Sequence, residues 1–306
     1  MENVTDYVFR EIVSRYLPRP DVFFTEFTNT DGLTSEKGYP ETIKRLQFSK
    51  SQRPIVAQIW GSNPQNFFRS AQICLNLGFD GVDINMGCPH RSVVESGGGA
   101  GCIGNFDLVK EIINATKEGL KNKIPLSIKT RLGNKIISYQ DWVQFLLEQK
   151  IDALTVHCRT PSQMSDGQAN WDAIGEITKI KNKISPNTLV IGNGDVLSKK
   201  EAVLKHKQYG VDGVMIARGI LKNPWIFGNN NIDHKVNDFL DLALKHTNLH
   251  HHIYGDSKHF ATLKRFFKMY IKGFDGATTL RAELMDTEHI TEVVRILERE
   301  KIKKSS

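Results

Sequence analysis

Residues 83 to 101, "DINMGCPHRSVVESGGGAG", close an apolar run on Cys-Pro and follow it, after a short polar stretch, with three consecutive glycines. A thiol at the end of a strand, backed by a loop poor in side chains, marks a reactive group beside a surface that a bulky planar ligand or substrate can approach. A thiol near its usual pKa of about 8.5 carries its proton at neutral pH and can act as an acid. Similar apolar runs end on Glu26, Gln58, Asn85, Lys129, Arg131, His157, Arg159, Asn193, Asp195 and Arg218. Cys74, Cys102 and Cys158 stand in no such motif and are read as structural thiols.

The runs that must position these groups are short and β-branched, over 21–29, 53–61, 79–88, 124–133, 151–160, 187–195 and 211–219. Amphipathic helical stretches separate them near 64–77, 107–120, 138–149, 171–182 and 198–208, with a shorter candidate after Ser35. Repetition of this kind predicts a parallel sheet. In a (β/α)8 barrel the C-terminal strand ends form one face, which holds the active site. An open doubly wound sheet would gather ligand groups at a switch point, and no G-x-G-x-x-G follows the first run. The expected fold is therefore an α/β TIM barrel whose first strand is missing, because the chain opens on a helix over 6–16, capped by Thr5. After Pro224 the pattern is helical only, which predicts a catalytic barrel over 1–228, a helical domain over 229–306 and a solvated tail at "KIKKSS".

Composition sets limits on function. With 40% hydrophobic and 25% charged residues the chain can bury a large core and is not disordered. No apolar run approaches the roughly 20 residues that span a bilayer, and the N-terminus is charged rather than signal-like, so a cytoplasmic protein without a membrane partner is expected. Four cysteines without a C-x-x-C pair argue against a disulfide framework and a zinc cage. A formal charge of +7 favours an acidic partner, nucleic acid being the commonest.

The combination "VDINMGCPHRSVV", "GGGAG", "SIKTRLG", "LTVHCRT", "IGNGD" and "DGVMIARGIL", in that order, resembles the tRNA-dihydrouridine synthases. "HFATLKRFFKMYIKGFDGATTLRAELM" is similar to the same family, so the resemblance spans nearly the whole chain. It implies a monomeric FMN-dependent TIM barrel with a helical tRNA-binding domain. NADPH would reduce the flavin, hydride would pass to C6 of a uridine in tRNA, and a cysteine would protonate C5. Cys88 stands at the position of that acid. The resemblance places Gln58 and Lys129 at the flavin ring, with Met1 where the family's first strand ends in Ala-Pro-Met. His157, Asn193, Gly194, Asp195, Ala217 and Arg218 would hold the phosphate, and Asn85, Arg131 and Arg159 would meet the target nucleotide.

The triple glycine at 97–99 is expected to form a loop that moves over the site and admits a nucleotide turned out of its stack. Lys264, Lys268 and Lys272, spaced at i, i+4 and i+8 and joined by Arg265, predict a cationic stripe for phosphates along one helix. His246 and His250 at i and i+4 lack a third ligand, so no metal is expected. The chain departs from the family at its opening, at Ser165 in "CRTPSQMSDG" where an aromatic is usual, and at Cys158, where glycine is usual. Two rival readings follow: a flavin-deficient tRNA-binding relic, and an FMN barrel that acts on a small pyrimidine.

Overall fold

The computed structural model describes residues 1–134, 136–228 and 232–305, so the expected domain boundary at Asn229 lies outside the described residues. Among the described residues eight parallel strands form one sheet: β1 (Phe23–Phe24), β2 (Thr28–Asn29), β3 (Ile55–Trp60), β4 (Gly81–Met86), β5 (Leu126–Arg131), β6 (Ala153–His157), β7 (Leu189–Asn193) and β8 (Gly213–Met215). Their order is sequential from β1 through β3 to β8, with β2 also on β3, and among the described residues β1 and β8 do not pair with each other. Helices Pro64–Asn76, Phe106–Leu120, Tyr139–Glu148, Trp171–Ile184 and Lys199–Tyr209 alternate with the strands. This is a TIM-barrel-like α/β sheet with an open seam.

The two faces of the sheet differ, as alternation along a strand requires. One face carries Val82, Ile84, Ile128, Leu154, Val156 and Val190, all fully buried or nearly so. The opposite parity carries Gln58, Asp83, Asn85, Ser127, Lys129, Arg131, Thr155, His157 and Asn193. Side chains of that second set bond to one another across β3, β4 and β5 and from β5 to β7, so the polar face is the barrel interior.

Local structure departs from the expected elements in four places. The run over 21–29 divides, because Phe24 pairs with Val56 but Thr28 pairs with Ile59. One extra residue therefore bulges between the two short strands. Thr25 Oγ1 there accepts from the Gln58 N–H at 3.0 Å, replacing a ladder bond. The first helix, Tyr7–Tyr16, is capped by Asp6, whose carboxylate accepts from Phe9 N at 2.8 Å. The other Asp6 oxygen accepts from Lys258 Nζ at 2.6 Å and ties the barrel to the C-terminal helices. Residues 301–305, expected as a solvated tail, continue helix Ile290–Ser305.

The fourth departure concerns the cationic stripe. Segment 259–274 forms two single turns, Ala261–Lys264 and Phe267–Tyr270, rather than one helix. Leu263, Phe266, Phe267, Met269, Tyr270 and Ile271 are all buried, and a straight helix with apolar residues on every side would leave some of them in water. Lys264 is half-buried, and its ammonium donates to the carbonyls of Met285 and Thr287 at 2.6 and 2.7 Å. Lys272 donates to the Lys222 carbonyl, and Arg265 to that of Asn3. Lys268 is exposed. Lys264→Ala is thus expected to lower folding stability by about 1 kcal/mol, the net scale for a hydrogen bond at a partly solvated site. Lys268→Ala should leave the thermal midpoint unchanged, and the two melting curves check both statements.

Helix Val236–Tyr254 packs against Tyr7–Tyr16 and Ile290–Ser305. His246 and His250 bond to segment 259–274: His246 Nδ1 meets Tyr270 Oη at 2.8 Å, and His250 Nε2 meets Thr262 Oγ1 at 3.4 Å. Burial lowers their pKa values to about 3 and about 4, so both pack as neutral imidazoles.

Candidate active site

A cavity of about 850 Å³ opens beside the sheet, and of the polar strand-end residues Gln58 and Lys129 line it. It runs from Pro125, Asp152 and Asp212 at the N-terminal strand ends to Gln58, Lys129 and Ala217 at the other end, along the seam between β1 and β8. Met1 also lines it. The sequence brings these residues together because each lies at or near the end of a parallel strand in matched register, Asn85 opposite Lys129, Arg131 opposite His157, and His157 opposite Asn193.

Cys88 sits in the turn after β4, half-buried. Asn85 Oδ1 holds that turn, accepting from Gly87 N at 3.0 Å and Cys88 N at 2.9 Å. Burial pushes the thiol upward, against the opposing pull of its bond with the His90 backbone and of the Arg131 and Lys129 charges, so the group keeps its proton at neutral pH. The glycines serve a different purpose from the expected mobile loop. Gly98 and Gly99 are buried, and Ala100 N donates to the Cys88 carbonyl at 2.9 Å. Gly99 has φ +54°, and a Cβ there would lie 2.7 Å from the Cys88 carbonyl oxygen. Glycine lets the loop pack directly under the thiol's turn.

Two arginines organise the loop after β6. Arg131 donates through Nε to Gly87 O at 2.7 Å and through Nη1 to Thr160 O and Met164 O at 3.1 and 2.7 Å. It therefore ties the Cys88 turn to the segment that carries Ser165. Arg159, almost fully buried, donates to the carbonyls of Asp166 and Gly167 and pairs with Asp195 at 2.5 Å. Arg218 approaches the other Asp195 oxygen at 3.5 Å. Most donors of these two buried arginines are already occupied by protein acceptors, which leaves Arg218 as the exposed cation of the group.

Charges inside the site are shifted in consistent directions. Burial lowers His157 to about 3, and Lys129, Arg131, Arg159 and Arg218 all add to that effect, so its imidazole is neutral. Burial lowers Lys129 to about 8, opposed by Asp83. Lys129 Nζ donates to Asn193 Oδ1 at 3.2 Å, and Asn193 Nδ2 to Met215 O at 2.8 Å. The "NGD" turn carries Gly194 at φ +143° and Asp195 at φ +54°. No acceptor within the described residues takes up the backbone N–H of Asp195, Ala217 or Arg218. Free donors beside several cations suit a ligand bearing a phosphate.

A family model described as dihydrouridine synthase (Dus) matches residues 1–306. The chain belongs to the dihydrouridine synthase family. It is 42% identical over 300 residues to the probable tRNA-dihydrouridine synthase of Staphylococcus aureus (strain MRSA252), covering 97% of this chain and 90% of that protein. It is 41% identical to the probable tRNA-dihydrouridine synthase 2 of Bacillus subtilis (strain 168), over 97% of this chain and 91% of the other. Among solved structures, histamine dehydrogenase from Rhizobium sp. 4-9 superposes with a TM-score of 0.56 at 13% identity, over 81% of this chain and 46% of that one. An amine oxidase acting on 6-hydroxypseudooxynicotine from Pseudomonas geniculata N1 gives 0.55 at 10% identity, over 99% and 61%. These two likenesses are of fold alone.

The sequence reading missed Asp83 and Ser127, which sit in strand interiors rather than at strand ends. A signal was available. Asp is disfavoured inside strands, and Asp83 shares the parity of Asn85.

Proposed function

We propose that the chain reduces the 5,6 double bond of uridines in tRNA, with FMN as bound cofactor and NADPH as reductant. The observation that carries this reading is the protonated, half-buried thiol of Cys88, close enough to Arg131 and Lys129 to feel their charges, in a chain of this family. Bound flavin would supply hydride to C6 of the base. Cys88 gives its proton to C5 and is left as thiolate, which Arg131 stabilises and solvent reprotonates. Gln58 and Lys129 would contact the flavin ring, Lys129 as a cation that favours the anionic reduced form. Asp195, Ala217 and Arg218, with their free N–H groups and the Arg218 charge, would grip its phosphate, beside Gly194, Asn193 and neutral His157.

The barrel over 1–228 would carry the chemistry, and the helical region over 229–306 would meet the tRNA backbone. The exposed Lys268 suits that contact better than Lys264 and Arg265, each of which is engaged by two carbonyls. The test is the dihydrouridine content of tRNA from cells with and without the gene, measured by nucleoside mass spectrometry. Loss at one or more positions is expected, and unchanged content in every tRNA would refute the activity. The open seam between β1 and β8 favours a second reading, a tRNA-binding protein that holds flavin weakly. Under that reading the purified protein is colourless after gel filtration yet still binds tRNA.

A further inference from the structure

One row of side chains crosses three strands: Gln58 on β3 stands opposite Asp83 on β4, and Asp83 opposite Ser127 on β5. Asp83 is 0% exposed. It accepts from Ser127 Oγ at 2.6 Å and from Gln58 Nε2 at 2.7 Å. An ionised carboxylate can only accept, so the atom of Gln58 that faces it must be the nitrogen. The Gln58 oxygen is thereby turned toward Asn85, whose Nδ2 donates to it at 3.1 Å. Asn85 Oδ1 is turned the other way, onto the N–H groups of Gly87 and Cys88. Reversing Gln58 would set oxygen against carboxylate and NH2 against NH2, so every amide in the chain has one satisfied orientation.

We propose that Asp83 is a positioning residue: its carboxylate fixes the Gln58 amide in the cavity and, through Asn85, the turn that presents the Cys88 thiol. Gln58 lines the cavity, and its Nε2 keeps a second hydrogen that Asp83 does not take. A ligand at that hydrogen and the acid at Cys88 are then set by one anchor. Stability of the fold gives no reason for the carboxylate. Burial raises Asp83 to about 6, so its charge at neutral pH is held against desolvation, and an apolar residue would serve packing as well. The consequence for catalysis rests on the proposed role of Cys88, whereas the relay stands on its hydrogen bonds alone.

Alkylation of Cys88 by iodoacetamide, in purified protein without added flavin or tRNA, reads the turn directly, because Cys74, Cys102 and Cys158 are 0%, 1% and 0% exposed. Asp83→Asn can keep both partners, with its oxygen toward Gln58 and its nitrogen toward Ser127, so the rate should stay within about twofold of wild type. Asp83→Ala frees Gln58 and Asn85, and the rate should change by about fivefold or more, with the pH of half-maximal rate displaced. Mass spectrometry that finds a single alkylated cysteine establishes that the variant is folded. If Asp83→Ala labels at several cysteines, Gln58→Met replaces it in the comparison, since it cuts the relay at the next link and keeps the volume. Equal rates in wild type and the relay-cutting variant, or an Asp83→Asn rate as altered as that variant's, would overturn the relay. No cofactor or RNA enters the assay, so this outcome is independent of whether the proposed reaction is correct.

Discussion

Cys88→Ala is expected to lose about 10²-fold or more of its dihydrouridine-forming turnover, the scale for removal of a general acid. The substitution is structurally mild. The turn is held through the backbone N–H groups of Gly87 and Cys88, which alanine retains, and Gly99 packs against the backbone and Cβ of this residue rather than the sulfur. Flavin content and the rate of flavin reduction by NADPH should therefore match wild type, because neither step needs the proton. Without the donor, hydride addition to C6 would leave charge on the base with nothing to quench it. Single-turnover reduction of a tRNA transcript by the prereduced protein separates the steps. A Cys88→Ala rate within threefold of wild type would remove Cys88 from the chemistry.

The groups of the site were legible because parallel strands deliver their C-terminal ends to one face, and seven apolar runs each ended in a polar residue. The alternation that placed Gln58, Asn85, Lys129 and Arg131 there is local. What those groups bond to is not. Arg131 reaches Met164, and Arg265 reaches the carbonyl of Asn3, a partner 262 positions away. Such pairings arise from packing of distant segments, and they turn residues that read as free cations into braces. The stripe at Lys264, Lys268 and Lys272 was misread for a related reason. Helical spacing was present, but an all-round apolar segment breaks to bury its side chains, and Lys264 and Lys272 then find carbonyls. Asp83 was overlooked because attention went to strand ends, although its parity with Asn85 marked it as an interior group.

Lys129→Met is expected to separate function from stability. Lys129 is half-buried on β5, and desolvation lowers its pKa to about 8, partly offset by Asp83. Its ammonium is therefore present below about pH 8 and is lost as pH rises through that value. In the proposed reaction the cation stabilises the anionic reduced flavin, so wild-type turnover should decline as pH rises through about 8, while the methionine variant should run about 10²-fold slower and lack that limb. Stability should move the other way. In the unfolded chain the lysine binds its proton up to about 10.4. Between about pH 8 and that value the unfolded state holds more protons than the folded state, so this group's contribution to stability rises with pH across the window. Below pH 8 the folded protein carries an ammonium at a desolvated position, which methionine does not. The variant should then melt above wild type at pH 7, with Asp83 taking up a proton more readily once its cation is gone, and the gap should close toward pH 10. Melting curves at pH 7, 8, 9 and 10 on both proteins, alongside turnover at the same values, make the comparison. A variant that melts below wild type at pH 7, or that keeps wild-type turnover, would show that Lys129 braces the barrel instead of charging the site.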